Sequence, residues 1–168
     1  MGALFGESVR RGAGYAPLVA RVLVGVIMAA HGLQKLLGGP ANFGQGLASL
    51  GVPLPTLMAY VVTFTELLGG ILLIVGLLSR LAALLLTINL VMAILLVKVN
   101  VGLIASGGDE AGAELDLALI AGFLVVLLAG PGRLSIDHAL GYEGDVVQEV
   151  PAGRGRTRRP PFGGGSDR

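Results

Sequence analysis

The chain has 168 residues, of which 54% are hydrophobic and 14% charged, with a net charge of +1 and a mean hydropathy of +0.81. A soluble domain carries about 25% charged residues, so this composition excludes an ordinary soluble protein and predicts a single-domain membrane protein. The absence of cysteine excludes disulfides, thiolate metal sites and CxxC redox chemistry. Basic residues cluster in the tail, where no aromatic platform accompanies them, which argues against nucleic-acid binding.

The first apolar segment is predicted to be a retained membrane span at about residues 18–37, after an N-terminal arm of residues 1–16. Arg10 and Arg11 precede it, as they would in a signal peptide. However, the segment contains Arg21 and continues to about residue 30, which is longer and more polar than a signal-peptide core of 7–15 residues. We therefore expect no cleavage here.

The second span is predicted to start after Pro55 and to end at Leu78. A short amphipathic helix at residues 41–50 precedes it, lying at the membrane surface. A run of about 20 apolar residues can cross a bilayer as a helix, and this one carries Glu66 near its middle. A central carboxyl costs about 2.5–3.5 kcal/mol on insertion scales, so we expect it to face protein or water.

Two further spans are predicted at residues 81–99 and 114–129, joined by a polar loop. Residues 17–140 are therefore interpreted as an all-α transmembrane four-helix bundle. The remaining residues, 141–168, form an acidic and then Arg-rich tail that we expect to be disordered. Most arginines flank one side of the bundle, so the positive-inside rule places both termini in the cytoplasm.

The polar residues of the spans fall into two predicted layers. At about 1.5 Å per residue, Glu66 and Asn89 lie near mid-membrane, Arg21 about 6 Å from the cytoplasmic side and His31 about 9 Å from the outer side. The outer layer consists of four residues: Lys35, Lys98, Glu114 and Asp116. We expect Glu66 to accept hydrogen bonds from Arg21, His31 or Asn89, and the two lysines to pair with Glu114 and Asp116.

Two interpretations of these layers stay open. Pairing alone accounts for the outer layer, because groups near helix ends reach water easily. For Glu66 and His31, proton handling or binding of a polar head group, such as a quinone carbonyl, is as good an explanation as structural pairing. A metal or haem site is disfavoured, since His31 is the single histidine within the spans and no cysteine accompanies it.

The ordered motifs of the spans resemble one known family. They are Arg21…His31-Gly32-x-x-Lys35, Glu66-x-x-Gly69-Gly70, Gly76-Leu77-x-x-Arg80, Asn89, Glu114 and Gly130-Pro131-Gly132-x-x-Ser135-x-Asp137. Over about residues 17–140 this set resembles the DoxX family of small four-helix bacterial membrane proteins. The resemblance implies a multi-pass protein of the cytoplasmic membrane, of a kind described as an oxidoreductase or as a subunit associated with a quinol oxidase.

The resemblance marks seven residues as motif positions: Arg21, His31, Lys35, Glu66, Arg80, Asn89 and Glu114. The leading hypothesis is a membrane redox subunit that works with partner subunits and holds a quinone-type or lipid-like ligand, with no covalently bound cofactor and no metal. Glu66 would accept or relay a proton, His31 would hydrogen-bond the ligand and Arg21 would hold the carboxylate. The alternatives are a scaffold that recruits a cytoplasmic partner through the Arg-rich tail, and a small transporter, which would have to be a homo-oligomer.

Overall fold

The structure is a computed structural model that describes residues 15–104, 112–132 and 134–142, and all regular structure in these ranges is helical. The helices are α1 (Ala16–Gly38), α2 (Pro40–Ser49), α3 (Pro55–Val75), α4 (Ser79–Leu96), α5 (Glu114–Ala129) and α6 (Ile136–Ala139), with a 3-10 turn at Lys98–Asn100. The predicted all-α class is confirmed. Most of the N-terminal arm and of the tail, the centre of the polar loop, and Arg133 lie outside the described residues.

Three helices in the described part of the chain are long and apolar enough to cross a membrane: α1, α3 and α4, with 23, 21 and 18 residues. At about 1.5 Å per residue they measure roughly 27–35 Å, which matches a hydrocarbon core of about 30 Å. Helix α5 has 16 residues and is therefore shorter, at about 24 Å.

Proline and glycine set the helix borders. Pro17, Pro40 and Pro55 occupy first turns, where a missing N–H costs nothing. Helix α3 ends at Gly76, whose φ of +75° lets the N–H groups of Gly76 and Leu77 turn back to the carbonyl of Leu72. The chain then enters α4 almost at once, so α3 and α4 form the predicted antiparallel hairpin.

Helices α1 and α3 make the most extensive contact in the molecule, and glycines bring their backbones together. A Cβ atom on Gly25 would lie 2.9 Å from the carbonyl oxygen of Gly70, and one on Gly32 would overlap the backbone of Leu67. Gly70 in turn packs against the backbone of Ala29. These small residues therefore let the two backbones approach closely.

The core lies where α1, α3, α4 and α5 meet in a ring, each packed against the next. Apart from alanines, five core side chains are at most 1% exposed: Met28, Leu73, Leu86, Phe123 and Val126. Helix α2 lies outside this ring and packs on the start of α3, where Leu47 and Val52 contact Ala59. It thereby covers one end of the α1–α3 pair.

Candidate functional site

Glu66 lies on α3 and is 4% exposed, so its carboxylate faces protein as predicted. Its Oε2 forms an ion pair with Lys35 Nζ from α1. Its Oε1 accepts a hydrogen bond of 3.1 Å from Asn89 Nδ2 on α4. We call these three residues, each from a different helix, the Glu66 cluster. The expected hydrogen bond from Asn89 to Glu66 is thus present.

Lys35 connects the Glu66 cluster to the end of the bundle at which α1 stops. Its side chain is 23% exposed, and Nζ lies 5.5 Å from the ring centroid of Phe43 on α2, a cation–π distance. The prediction that Lys35 pairs with Glu114 or Asp116 is wrong. Its flexible four-carbon stem extends inward to Glu66, where a buried carboxylate gains more from a counter-charge than an exposed one does.

Arg21 lies at the opposite end of α1 and is 1% exposed. Its Nη2 donates a 2.7 Å hydrogen bond to the carbonyl of Leu134, and its guanidinium lies directly over Gly76. The expectation that Arg21 holds the Glu66 carboxylate is wrong. Lys35, which does hold it, is 14 positions further along α1 (35 − 21), or about 21 Å along the helix axis.

Asp137 completes the polar contacts at the Arg21 end, where its negative charge attracts the nearby guanidinium group of Arg21. Its carboxylate accepts hydrogen bonds from the backbone N–H groups of Leu78 (2.7 Å) and Ser79 (2.8 Å) at the start of α4. A carboxylate at this position satisfies free N–H groups and interacts favourably with the helix dipole. We call Arg21, Gly76, Ser79, Leu134 and Asp137 the Arg21 cluster.

Lys98 and Asp116 form a second pair at the same end as Lys35. Lys98 Nζ lies 2.9 Å from Asp116 Oδ2 and donates a 3.0 Å hydrogen bond to the carbonyl of Gly112. The pairing of Lys98 with Asp116 is confirmed, and it ties the end of α4 to the start of α5. Glu114 is exposed and forms no ion pair with the described residues.

One predicted site residue, His31, stands apart from these contacts. His31 is half-buried on α1, one turn before Lys35, and its side chain forms no hydrogen bond or ion pair with the described part of the chain. The structure therefore shows no hydrogen bond or ion pair between His31 and Glu66. Arg80 lies in the first turn of α4, at the Arg21 end.

Sequence reasoning missed two residues that shape these clusters. Phe43 was assigned only to a surface helix, although a Phe eight positions after a Lys, across a Gly-Gly-Pro turn, is a signal that the two side chains could meet. Asp137 appeared only as a motif position. The signal for its role was that it follows the last span, at the end where the buried Arg21 needs a negative partner.

The fold and the clusters define a class: a small multi-pass membrane protein whose apolar helices enclose a carboxylate neutralised from neighbouring helices. Within that class, the chain belongs to the DoxX family, whose profile matches residues 16–99. The predicted family is thereby confirmed, and so is the predicted location in a bacterial membrane, which agrees with the three apolar spans.

Three relatives support this assignment. An "Uncharacterized membrane protein Rv3486" of Mycobacterium tuberculosis is 34% identical over 71% of this chain and 78% of its own length. A Bacillus subtilis protein named "Putative oxidoreductase CatD" is 34% identical over 71% of this chain and 83% of its own length. The "Inner membrane protein YphA" of Escherichia coli is 27% identical over 72% of this chain and 87% of its own length. No solved structure matches the chain.

Proposed function

We propose that this DoxX protein is a subunit of a quinone-linked redox system of the bacterial cytoplasmic membrane, and that the Glu66 cluster binds the quinone head group. The observation that carries the proposal is the buried Glu66 carboxylate, held between Lys35 and Asn89. Intramembrane ionisable groups of this kind are functional candidates by default. The oxidoreductase name of one relative supports the redox class.

The proposal includes a four-helix transmembrane bundle with both termini in the cytoplasm. Helix α5 carries no charged residue after Asp116, as expected of a fourth span. The hydrogen bonds from Leu78 and Ser79 to Asp137 support this topology, because they hold the segment after α5 at the α3–α4 turn. Without a crossing by α5, that segment would lie at the opposite end of α4.

The residues present fit a quinone. Among the described residues, the Lys35 ammonium group donates to Glu66 alone, and the Asn89 carbonyl oxygen has no partner. An apolar groove of about 260 Å³ runs along the outward-facing side of α3 and α4, and its lining includes Leu85 and Thr65, the sequence neighbour of Glu66. The cluster would hold the head group, and the groove would hold the isoprenoid tail.

A quinone supplies two-electron, two-proton chemistry when it is bound. In this site Asn89 would orient a carbonyl or hydroxyl group and Glu66 would accept or return a proton. Lys35 would hold the Glu66 carboxylate in place while its charge state changes. His31, whose side chain has no partner in the described part of the chain, is free to hydrogen-bond the ligand. The electrons would pass to a partner redox subunit.

The test is quinone binding by the full chain in nanodiscs, with a short-tailed ubiquinone and menaquinone as probes. We expect Glu66→Gln, Asn89→Ala and His31→Ala each to weaken binding about tenfold, the effect of losing about 1.4 kcal/mol. Asp116→Asn is the matched control, because it neutralises a buried paired carboxylate outside the cluster, and it should leave binding unchanged.

Two further measurements make the result decisive. A prenylated hydrocarbon without carbonyl groups should bind the wild type and the variants equally, because it reports only the groove. The double variant Lys35→Met/Glu66→Gln should remain folded, since it removes both charges of the pair together. Equal quinone binding by the wild type, Glu66→Gln, Asn89→Ala and His31→Ala would refute the proposed site.

A further inference from the structure

An apolar layer separates the two polar clusters. Its side chains come from all four helices of the ring and are at most 1% exposed: Met28, Leu73, Leu86, Phe123 and Val126. Met28 lies seven residues from both Arg21 and Lys35, and Leu73 lies seven residues beyond Glu66. Seven residues are two helical turns, or about 10 Å. The Glu66 cluster is therefore closed toward the Arg21 end by a packed apolar core.

The opposite direction is much less obstructed. Lys35 contacts Glu66 with its ammonium group while its side chain remains 23% exposed. Phe43, which is half-buried on α2, lies over that ammonium group at 5.5 Å. Since the lysine stem rotates easily, displacement of Lys35 and Phe43 would open Glu66 to water at this end without disturbing the core.

We infer that the Glu66 cluster exchanges protons and water only with the membrane side at which α1 ends, and that Phe43 and Lys35 together control this access. A carboxylate in the membrane exchanges protons through water or polar side chains, because the hydrocarbon offers neither. The structure provides a polar route of that kind through Lys35. This inference deepens the proposed function by naming the side that supplies or receives the proton, but it requires no quinone.

Because the chain contains no cysteine, single introduced cysteines report access directly. Asn89→Cys places a thiol in the cluster and retains the Lys35–Glu66 pair, and Glu66→Cys is a second reporter in case the first does not fold. The full-length protein is studied in membrane vesicles of both orientations, with a membrane-impermeant, positively charged methanethiosulfonate as probe. Ser49→Cys on exposed α2 and Tyr142→Cys near Asp137 identify the two sides.

We expect the Asn89→Cys thiol to react from the side that labels Ser49→Cys and at least tenfold more slowly from the other side. Adding Phe43→Ala should raise the rate from the α2 side at least tenfold, because the ring no longer covers Lys35. Phe64→Ala is the matched control, since Phe64 is an exposed aromatic on α3 and should leave the rate unchanged. Leu86→Cys in the apolar layer should not react from either side.

Three outcomes would overturn the inference: reaction at similar rates from both sides, faster reaction from the Tyr142 side, or no reaction of either reporter even with Phe43→Ala. The quinone-binding test is separate. If the thiol reacts from one side only and Glu66→Gln binds quinone as tightly as the wild type, the access route is supported and the redox proposal is refuted. Two-sided reactivity with Glu66-dependent binding would do the reverse.

Discussion

Glu66 and Arg21, two of the buried charged residues in the described part of the chain, are stabilised by different means. Glu66 has a counter-charge, Lys35, and an amide donor, Asn89. Arg21 has a backbone carbonyl and the nearby charge of Asp137, while its Nε and Nη1 atoms donate no hydrogen bond in the described structure. A buried guanidinium with unused donors is costly. The Arg21 side chain also fills space in the interior, because its guanidinium group packs directly on Gly76.

Gly76→Ala tests this contact at the residue scale. A Cβ at Gly76 would collide with the Arg21 guanidinium and would also sit at a φ of +75°. Gly51 is the matched control, because it has the same φ and no atom within 4 Å of its would-be Cβ. We expect Gly51→Ala to lower the free energy of unfolding by about 1 kcal/mol, and Gly76→Ala to lower it by about 3 kcal/mol or more.

The measurement is helicity during denaturant titration of the two variants in mixed micelles. Equal losses would contradict the packing of Arg21 on Gly76, since only backbone strain would then be at work. A second substitution, Arg21→Met, should recover part of the loss in Gly76→Ala, because its flexible, uncharged side chain can move aside.

The sequence was sufficient to predict that Glu66 faces protein or water, and Asn89 was one of three predicted donors to it, beside Arg21 and His31. Glu66 and Asn89 could be placed together because they lie at one depth in adjacent antiparallel helices. The sequence was not sufficient to identify the cation. Helical rise places Cα atoms by depth, but a lysine side chain extends several ångströms along the axis. Lys35 therefore reached a layer to which it had not been assigned. The predicted partner of Arg21 was wrong because its actual partner, Leu134, belongs to the segment after α5. The pattern of apolar spans does not indicate where that segment packs.

At the scale of elements, the borders were the most predictable feature, because proline and glycine mark them locally. The predicted fourth helix, 114–129, coincides with α5, and the predicted first span of 18–37 lies within α1. The neighbours of each helix were less predictable. The structure shows that Gly25 and Gly32 meet α3 and that Gly122 meets Val24, and the sequence does not specify these pairings.

Gly32→Ala tests the α1–α3 contact. A Cβ there would overlap the backbone of Leu67, which cannot move like a side chain, so we expect a loss of about 1–3 kcal/mol in the free energy of unfolding. Gly38→Ala, at the end of the same helix, meets nothing within 4 Å. This control should be neutral or up to about 1 kcal/mol more stable, from helix propensity alone. If denaturant titration gives Gly32→Ala the same free energy of unfolding as the parent chain, α1 and α3 do not approach each other this closely.

At the scale of the whole molecule, the polar residues form two groups, one toward each end of the helices, and an apolar layer lies between them. The Glu66 cluster and the Lys98–Asp116 pair lie on the side at which α1 ends. The Arg21 cluster binds the α3–α4 turn to the segment after α5. This distribution makes the two sides of the membrane chemically different for the protein, as the proposed one-sided proton exchange at Glu66 requires.

The same distribution yields a topology that can be measured in cells. Asp137 contacts the backbone of Leu78 and Ser79, so a four-span chain should place Tyr142 and the α3–α4 turn on one side and α2 on the other. We expect a membrane-impermeant maleimide to label Ser49→Cys in intact cells. Leu78→Cys and Tyr142→Cys, both at exposed positions, should be labelled only after the membrane is opened.

The cysteine-free parent chain is the background control, and Leu86→Cys, buried in the apolar layer, should stay unlabelled in both conditions. Labelling of Tyr142→Cys in intact cells, with Leu78→Cys still protected, would mean that α5 does not cross the membrane. The contact between Asp137 and the start of α4 could not then exist in the bilayer. Because that contact also positions the loop over which Arg21 lies, the Gly76→Ala and Gly51→Ala variants should in that case become equally stable.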